Sequence, residues 1–244
     1  MTYCLEGDTV YRLKSFFLYY TWCCNLSCRH CWVFGNKNTE CIGVERAIKA
    51  CYEAVQLGAE FIKISGGEPL VFFEDVVTIA NAVKSKFPKI HICLETNATL
   101  ITSQNACPLA IFDSISISLD SSTPSKHNKL RGEDWAFDKA MNGINMLKLN
   151  NVRFSITTTI DSDTTFSDMD SIVELGIKVG AERIKFNPIM NIGRAHNLNK
   201  SFYSISPIQM LAVKNRYASK SEIDVCIMLP CAYNISFLDP QNSR

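Results

Sequence analysis

Apolar and polar positions come in short blocks along this chain, and the blocks switch period. Residues 15–21 form an apolar, aromatic-rich run of the kind that makes a buried strand. Val44, Ala47, Ile48, Cys51 and Val55 then recur at helical spacing, with Gly58 at the stop. The run 61–65 is a strand ending in Gly66-Gly67, and 74–87 reads as a helix stopped at Pro88. Strand 90–96 follows, with Asn97 opening its exit loop, and then strand 114–119, with Asp120 at its C-terminal end. Phe137, Ala140, Met141, Ile144 and Leu147 mark a helix face. Residues 153–160 alternate and are β-branched, a fifth strand; 167–179 is helical with Gly180 after it; 183–187 is the sixth strand. The last helix, 207–220, carries Pro near its start.

Strands alternating with helices in this way predict parallel βαβ units with right-handed crossovers. A closed eight-stranded barrel takes about 250 residues, and this chain has 244. The expected fold is therefore α/β, an open partial (βα)6 barrel of parallel strands with outer helices. The expected division is an N-terminal extension over 1–12, the barrel over 13–200, and a C-terminal helix with a short tail over 201–244. Residues 24–31, 66–68, Asn97 and Asp120 all follow strand ends, on the face where such folds build sites, so they should converge.

Composition narrows the function classes. Net charge is +1, which makes no electrostatic case for nucleic acid or an anionic membrane as partner. No apolar run approaches the ~18 residues of a membrane span, and residues 1–8 lack a signal-peptide pattern. The chain reads as cytosolic. In that compartment its 11 cysteines are metal ligands, redox groups or core fillers rather than a disulfide framework. Most of the scattered ones (Cys4, Cys41, Cys51, Cys93 and Cys107) are expected to be buried small hydrophobes, with Cys51 and Cys93 on core faces.

Cys24, Cys28 and Cys31 stand apart from these. Three thiolates in one short loop can hold three irons of a cubane iron–sulfur cluster and leave the fourth iron open for a small molecule. A structural zinc site is the alternative. Zinc takes four ligands, commonly in two separated pairs; His30 would be strained between two ligands, and the spacing of Cys23 breaks the pattern. After the second strand, Gly66-Gly67-Glu68-Pro69 lets the backbone approach a ligand closely, and its polar groups can bond an ammonium and a carboxylate. Farther on, Ser118 can donate or accept, Asp120 can bind hydroxyls, and Arg131 can fork onto a carboxylate. Each of these alone would read as a strand end with a solvated Asp and a surface Arg. His127 reads as structural.

The cysteine motif combined with Gly66-Gly67-Glu68-Pro69 resembles the radical SAM superfamily, and the resemblance runs from about residue 13 to residue 195. It implies a [4Fe–4S] cluster on Cys24, Cys28 and Cys31, with S-adenosylmethionine on the open iron. Gly66, Gly67, Glu68 and Pro69 would meet the methionine amino group, with Glu68 positioning rather than acting as acid or base. Asn97 lies in a further block of the family, with Ala98 where the family often has Gly. Ser118, Asp120 and Arg131 match the part that contacts the ribose and carboxylate, and Ile184 to Ile189 would flank the adenine. The chemistry implied is reductive cleavage to a 5′-deoxyadenosyl radical that takes hydrogen from an unactivated carbon, with no side chain needed as nucleophile.

Tyr11 to Phe16, Ile184 to Pro188 and Gly193-Arg194-Ala195 resemble the SPASM/twitch subgroup that modifies peptides or matures proteins. The resemblance therefore implies a peptide or protein substrate and an electron donor such as flavodoxin or ferredoxin. Epimerisation, thioether formation, carbon–carbon bond formation and backbone excision all stay open. An epimerase would need a hydrogen donor, for which Cys226 or Cys231 is a candidate. Only those two cysteines follow the barrel, too few for a four-thiolate auxiliary cluster. The chain is expected to be truncated, completed by another polypeptide, or able to do without. A radical SAM enzyme for a small metabolite, an activator of a glycyl-radical partner, and a non-catalytic metal-binding subunit are the alternatives.

Overall fold

Seven parallel strands pair in chain order, β1 to β7, into one sheet, and β1 also makes an isolated antiparallel bridge from Thr21 to Cys41. These features come from a computed structural model, which describes residues 12–32, 40–190, 192–197 and 205–228. The strands are β1 Ser15–Thr21, β2 Phe61–Gly66, β3 His91–Thr96, β4 Ser114–Ser118, β5 Phe154–Ile160, β6 Arg183–Pro188 and β7 Asp224–Ile227. The helices are α1 Val44–Gln56, α2 Phe73–Lys86, α3 Pro124–Arg131, α4 Ala136–Leu149, α5 Phe166–Val179 and α6 Pro207–Tyr217. Strands in sequential order with crossovers of one hand put every helix on the same face, and the sheet's own twist curls it round the other face. The result is an open partial barrel. Among the described residues no helix is long and apolar enough to cross a membrane.

Alternation along the strands explains the two faces. Ile62, Ile64, Ile92, Leu94, Ile115, Ile117, Phe154, Ile156, Ile184 and Phe186 point outward and are buried under the helices. Each such side chain contributes about 1.5–3 kcal/mol of burial. The positions between them face the lumen and are polar: Lys63, Ser65, Glu95, Ser116, Ser118, Thr157, Thr159, Lys185 and Asn187. A closed barrel fills its lumen with branched apolar side chains. Small hydroxyl residues there leave room for a ligand instead.

Six strands match those read from the sequence, within two residues at their ends. Two elements are additional. In α3 the helical i, i+4 pair that turns inward is His127 and Arg131, both buried, so no apolar stripe marks it. The strand β7 has only four residues and carries Cys226 into the sheet opposite Lys185, so this cysteine does not follow the barrel. Other cysteines also depart from expectation. Cys51 is in the helix-side core, but Cys93 lies between Ile92 and Leu94 and so faces the lumen, while Cys41 and Cys107 are exposed. Cys4 and Cys231 lie outside the described residues.

Candidate functional site

The cysteine loop leaves β1 at Thr21, whose hydroxyl accepts from Cys23 N at 2.9 Å and donates to Glu40 O at 2.7 Å. Every neighbouring strand exit then clamps it. From β2, Gly67 N donates to Thr21 O and Glu68 N to Cys23 O, each at 2.7 Å. A Cβ on Gly67 would sit 2.1 Å from the Cys23 carbonyl oxygen. The glycine therefore admits the close approach of the cysteine loop, and it also lines the cavity beside that loop. From β3, Asn97 Nδ2 donates to Asn25 Oδ1 at 2.9 Å, and Asn25 Nδ2 donates to Thr99 Oγ1 at 2.8 Å. From the end of α3, Leu130 O accepts from Arg29 N at 2.9 Å. Beyond β6, Arg194 N donates to Cys31 O at 2.8 Å, and a Cβ on Gly193 would lie 2.4 Å from that same oxygen.

Two buried carboxylates complete this wall. Glu68, 1% exposed, accepts from Leu70 N, Thr96 Oγ1 and Asn97 N at 3.0, 2.7 and 2.7 Å. Burial still raises its pKa above the ordinary glutamate value. It ties the β2 exit to the β3 exit. Pro69 is buried and starts the short 3₁₀ turn that follows. Asp120 accepts from Arg131 Nε at 2.6 Å and from Thr159 N at 2.9 Å, while its own N–H donates to His127 Nδ1 at 3.1 Å. Against the cost of burial, the Arg131 guanidinium holds Asp120 well below the usual carboxylate range. His127, buried and stacked edge-on against Phe137, is pushed down to about 4 by burial.

The clamped loop forms one side of a cavity of about 200 Å³. Cys24, Cys28 and Cys31 line it, with Gly66, Gly67, Glu68, Asn97, Ser118 and Arg131 facing them. Of the residues singled out from the sequence, Pro69 and Asp120 do not line it. Both oxygens of Asp120 are engaged within the protein, and its side chain borders a separate polar cavity behind the sheet exit. Arg131 Nη1 lies 3.8 Å from Cys28 Sγ, and Leu26 N donates to Cys24 Sγ at 3.4 Å. Burial pushes the Cys24 thiol up to about 12 and raises Cys28 as well. A metal centre needs the thiolates, so loading it releases protons against this resistance.

Sequence reasoning missed Thr157 and Thr159 on β5, and the lumen roles of Glu95 and Asn187. The signal was present as hydroxyl residues at every second position of 114–118 and 155–159, between outward isoleucines and threonine. The cavity adjoins a larger one of about 400 Å³, with which it shares His30, Trp32, Glu95, Thr159 and Asn187. Asn187 Oδ1 is buried there with no hydrogen-bond partner among the described residues.

Residues 18–176 match the radical SAM superfamily. The chain belongs to the radical SAM superfamily. It is 29% identical over 185 residues to the AdoMet-dependent heme synthase of Oleidesulfovibrio alaskensis, covering 72% of this chain and 45% of that protein. It is also 29% identical over 216 residues to a probable GTP 3',8-cyclase of Methanococcus vannielii, covering 86% and 68%. In fold it is similar to Streptococcus suis SuiB bound to the precursor peptide SuiA, with a TM-score of 0.76 at 16% identity over 95% of this chain and 51% of SuiB. Native anSMEcpe with bound AdoMet aligns with a TM-score of 0.66 at 21% identity over 95% and 68%. The radical SAM chain thus spans about half the length of the heme synthase and of SuiB.

The superfamily's cofactors are a [4Fe–4S] cluster and S-adenosylmethionine, and the residues present fit them. Three cysteines share one cavity, yet among the described residues no three His, Cys, Asp or Glu side chains gather as one metal ion requires. Zinc needs its ligands around a single point, about 2.0–2.3 Å away. A cubane instead spreads its cysteines over separate irons, which suits three thiols lining one cavity.

Proposed function

We propose that this chain is a radical SAM enzyme acting on a peptide or protein. The observation that carries the proposal is the adjacency of the two cavities: the three thiols line one, and it shares five wall residues with a second that is twice the volume and lined largely by apolar side chains. Cys24, Cys28 and Cys31 would hold the cluster. Gly66, Gly67 and Glu68 would frame the methionine end of S-adenosylmethionine, and Asn97, Ser118 and Arg131 its remaining polar groups. When bound, these cofactors supply a one-electron cleavage that yields a hydrogen-abstracting 5′-deoxyadenosyl radical. The chain's own part is to position: Arg131 keeps a positive charge beside Cys28, and Glu68 and Asp120 lock the strand exits. A reduced flavodoxin or ferredoxin would deliver the electron. That SuiB was solved with its precursor peptide supports a peptide as substrate.

A second reading, a small-metabolite enzyme, is favoured by the heme synthase and GTP 3',8-cyclase relatives. Anaerobic reconstitution, followed by reductant and S-adenosylmethionine, tests both. Formation of 5′-deoxyadenosine that disappears in Cys28→Ala is expected. If a filled cluster gives none, the enzymatic proposal fails for this chain. Turnover of a small metabolite with no peptide present would favour the second reading.

A further inference from the structure

The larger cavity contains an unbalanced charge. Lys185 lies on β6 between Ile184 and Phe186, which face the helices, so its side chain enters the lumen. Among the described residues its ammonium has no hydrogen-bond or ion-pair partner. Lys63, across the same cavity, is different. Its Nζ lies 2.7 Å from Glu95 Oε1, and Glu95 Oε2 accepts from Ser65 Oγ at 2.9 Å. Glu95 is therefore committed, and Lys63, Glu95 and Lys185 leave one net positive charge on the lining.

A half-buried cation with no ion-pair partner among the described residues is costly, and burial together with the repulsion of Lys63 outweighs the pull of Glu95 and lowers the Lys185 pKa. An anion arriving there relieves that cost. The lining around it is apolar: Phe17, Tyr19 and Trp32 on one side, Met190, Ile192 and Met228 on the other. Tyr19 and Trp32 pack edge to face with centroids 5.2 Å apart. A phosphate dianion would lose more hydration entering such a lining than a carboxylate on an apolar stem.

We propose that Lys185 is a specificity-determining residue that binds a carboxylate of the substrate, with Phe17, Tyr19 and Trp32 holding the apolar group beside it. This rests on the peptide reading above, and there the carboxylate is either the peptide's C-terminus or an acidic side chain. The location also suits the chemistry, because Glu95, Thr159 and Asn187 border both cavities and the anchored residue lies next to the cofactor's.

The test is a ligand-observed NMR titration of the anaerobically reconstituted chain. Four probes are compared: N-acetylphenylalanine, its neutral amide, N-acetyl-phenylalanyl-glutamic acid amidated at its α-carboxyl alone, and phenyl phosphate. One of the two carboxylates is expected to bind at least tenfold more tightly than the amide, and which one identifies the source. Lys185→Met should remove that preference while leaving the amide's weak binding in place, and Lys185→Arg should restore it. Equal binding of acids and amide, a preference that survives Lys185→Met, or tighter Lys185-dependent binding of phenyl phosphate would each overturn the assignment. The two proposals fail separately. Absence of 5′-deoxyadenosine strikes the enzymatic reading and leaves the acid preference standing, whereas loss of the preference with 5′-deoxyadenosine formed strikes only the carboxylate site.

Discussion

The cysteine-loop wall and the chamber beside it share one lumen, but they are built in opposite ways. In the wall most polar groups are paired within the protein, His30 Nδ1 being an exception among the described residues: Glu68 has three donors, Asp120 has two, and backbone amides of Gly67, Glu68, Arg29 and Arg194 hold the loop. In the chamber Lys185 is unpaired among the described residues, and the rim side chains Trp32, Met190, Ile192 and Met228 are well exposed. A site for a cofactor that must sit in one place gains from being over-determined. A site for a substrate that arrives and leaves keeps its unsatisfied groups for that substrate.

The sharpest way to break this contrast is to remove one half of the buried ion pair. Asp120→Ala strands the Arg131 guanidinium, and a loss of about 3–5 kcal/mol is expected in urea unfolding. If it costs no more than a surface change, the wall is not the rigid half. Acid should come next. The pKa of His127 falls from 6.5 in the unfolded chain to about 4 in the folded one, so the folded state disfavours its proton. The stability this provides is complete above pH 6.5 and is lost as pH drops towards 4, by about 1.4 kcal/mol per unit. Unfolding curves measured between pH 7 and 4.5 should fall more steeply for the native chain than for His127→Gln, by about that amount per unit.

Gly67→Ala drives a methyl into the Cys23 carbonyl and should cost about 1–3 kcal/mol, with a matching drop in iron retained after reconstitution. Unchanged stability and iron content would mean that the β2 exit does not set the loop. The smallest effect is expected in the chamber. Met228, 48% exposed, should tolerate Ala within about 0.5 kcal/mol in the same unfolding assay. A Met228→Ala loss as large as that of Gly67→Ala would erase the difference between the two regions.

Most of the fold was legible because its strands alternate and its helices carry apolar stripes. Strand 15–21 coincides with β1, and Gly180 ends α5 in the left-handed conformation, as its position after the apolar face predicts. What escaped had no such stripe. In α3 the inward pair His127 and Arg131 is polar because it packs against Asp120 rather than against the core. β7 is too short for its alternation to register. Cys93 was assigned to the wrong face because a half-polar strand leaves parity ambiguous until its neighbours are known; its register partners, Lys63 and Ser114, decide it.

By itself the sequence determined the family: three cysteines in one loop after a strand, a glycine-rich exit after the next, and hence membership of the radical SAM superfamily. Those signals are local, carried by residue type and spacing. Only the tertiary structure decided which polar residues face a ligand and which face each other. Asp120 and Arg131 are 11 residues apart in the chain, and nothing in that spacing says that they neutralise one another under a strand exit. Lys63 and Lys185 look alike in the sequence, yet the pairing of β2 with β3 sets Glu95 diagonally beside Lys63 and leaves Lys185 unpaired among the described residues. The reason is that charge pairing on a sheet face depends on which strands adjoin and in what register, and not on neighbours in the chain.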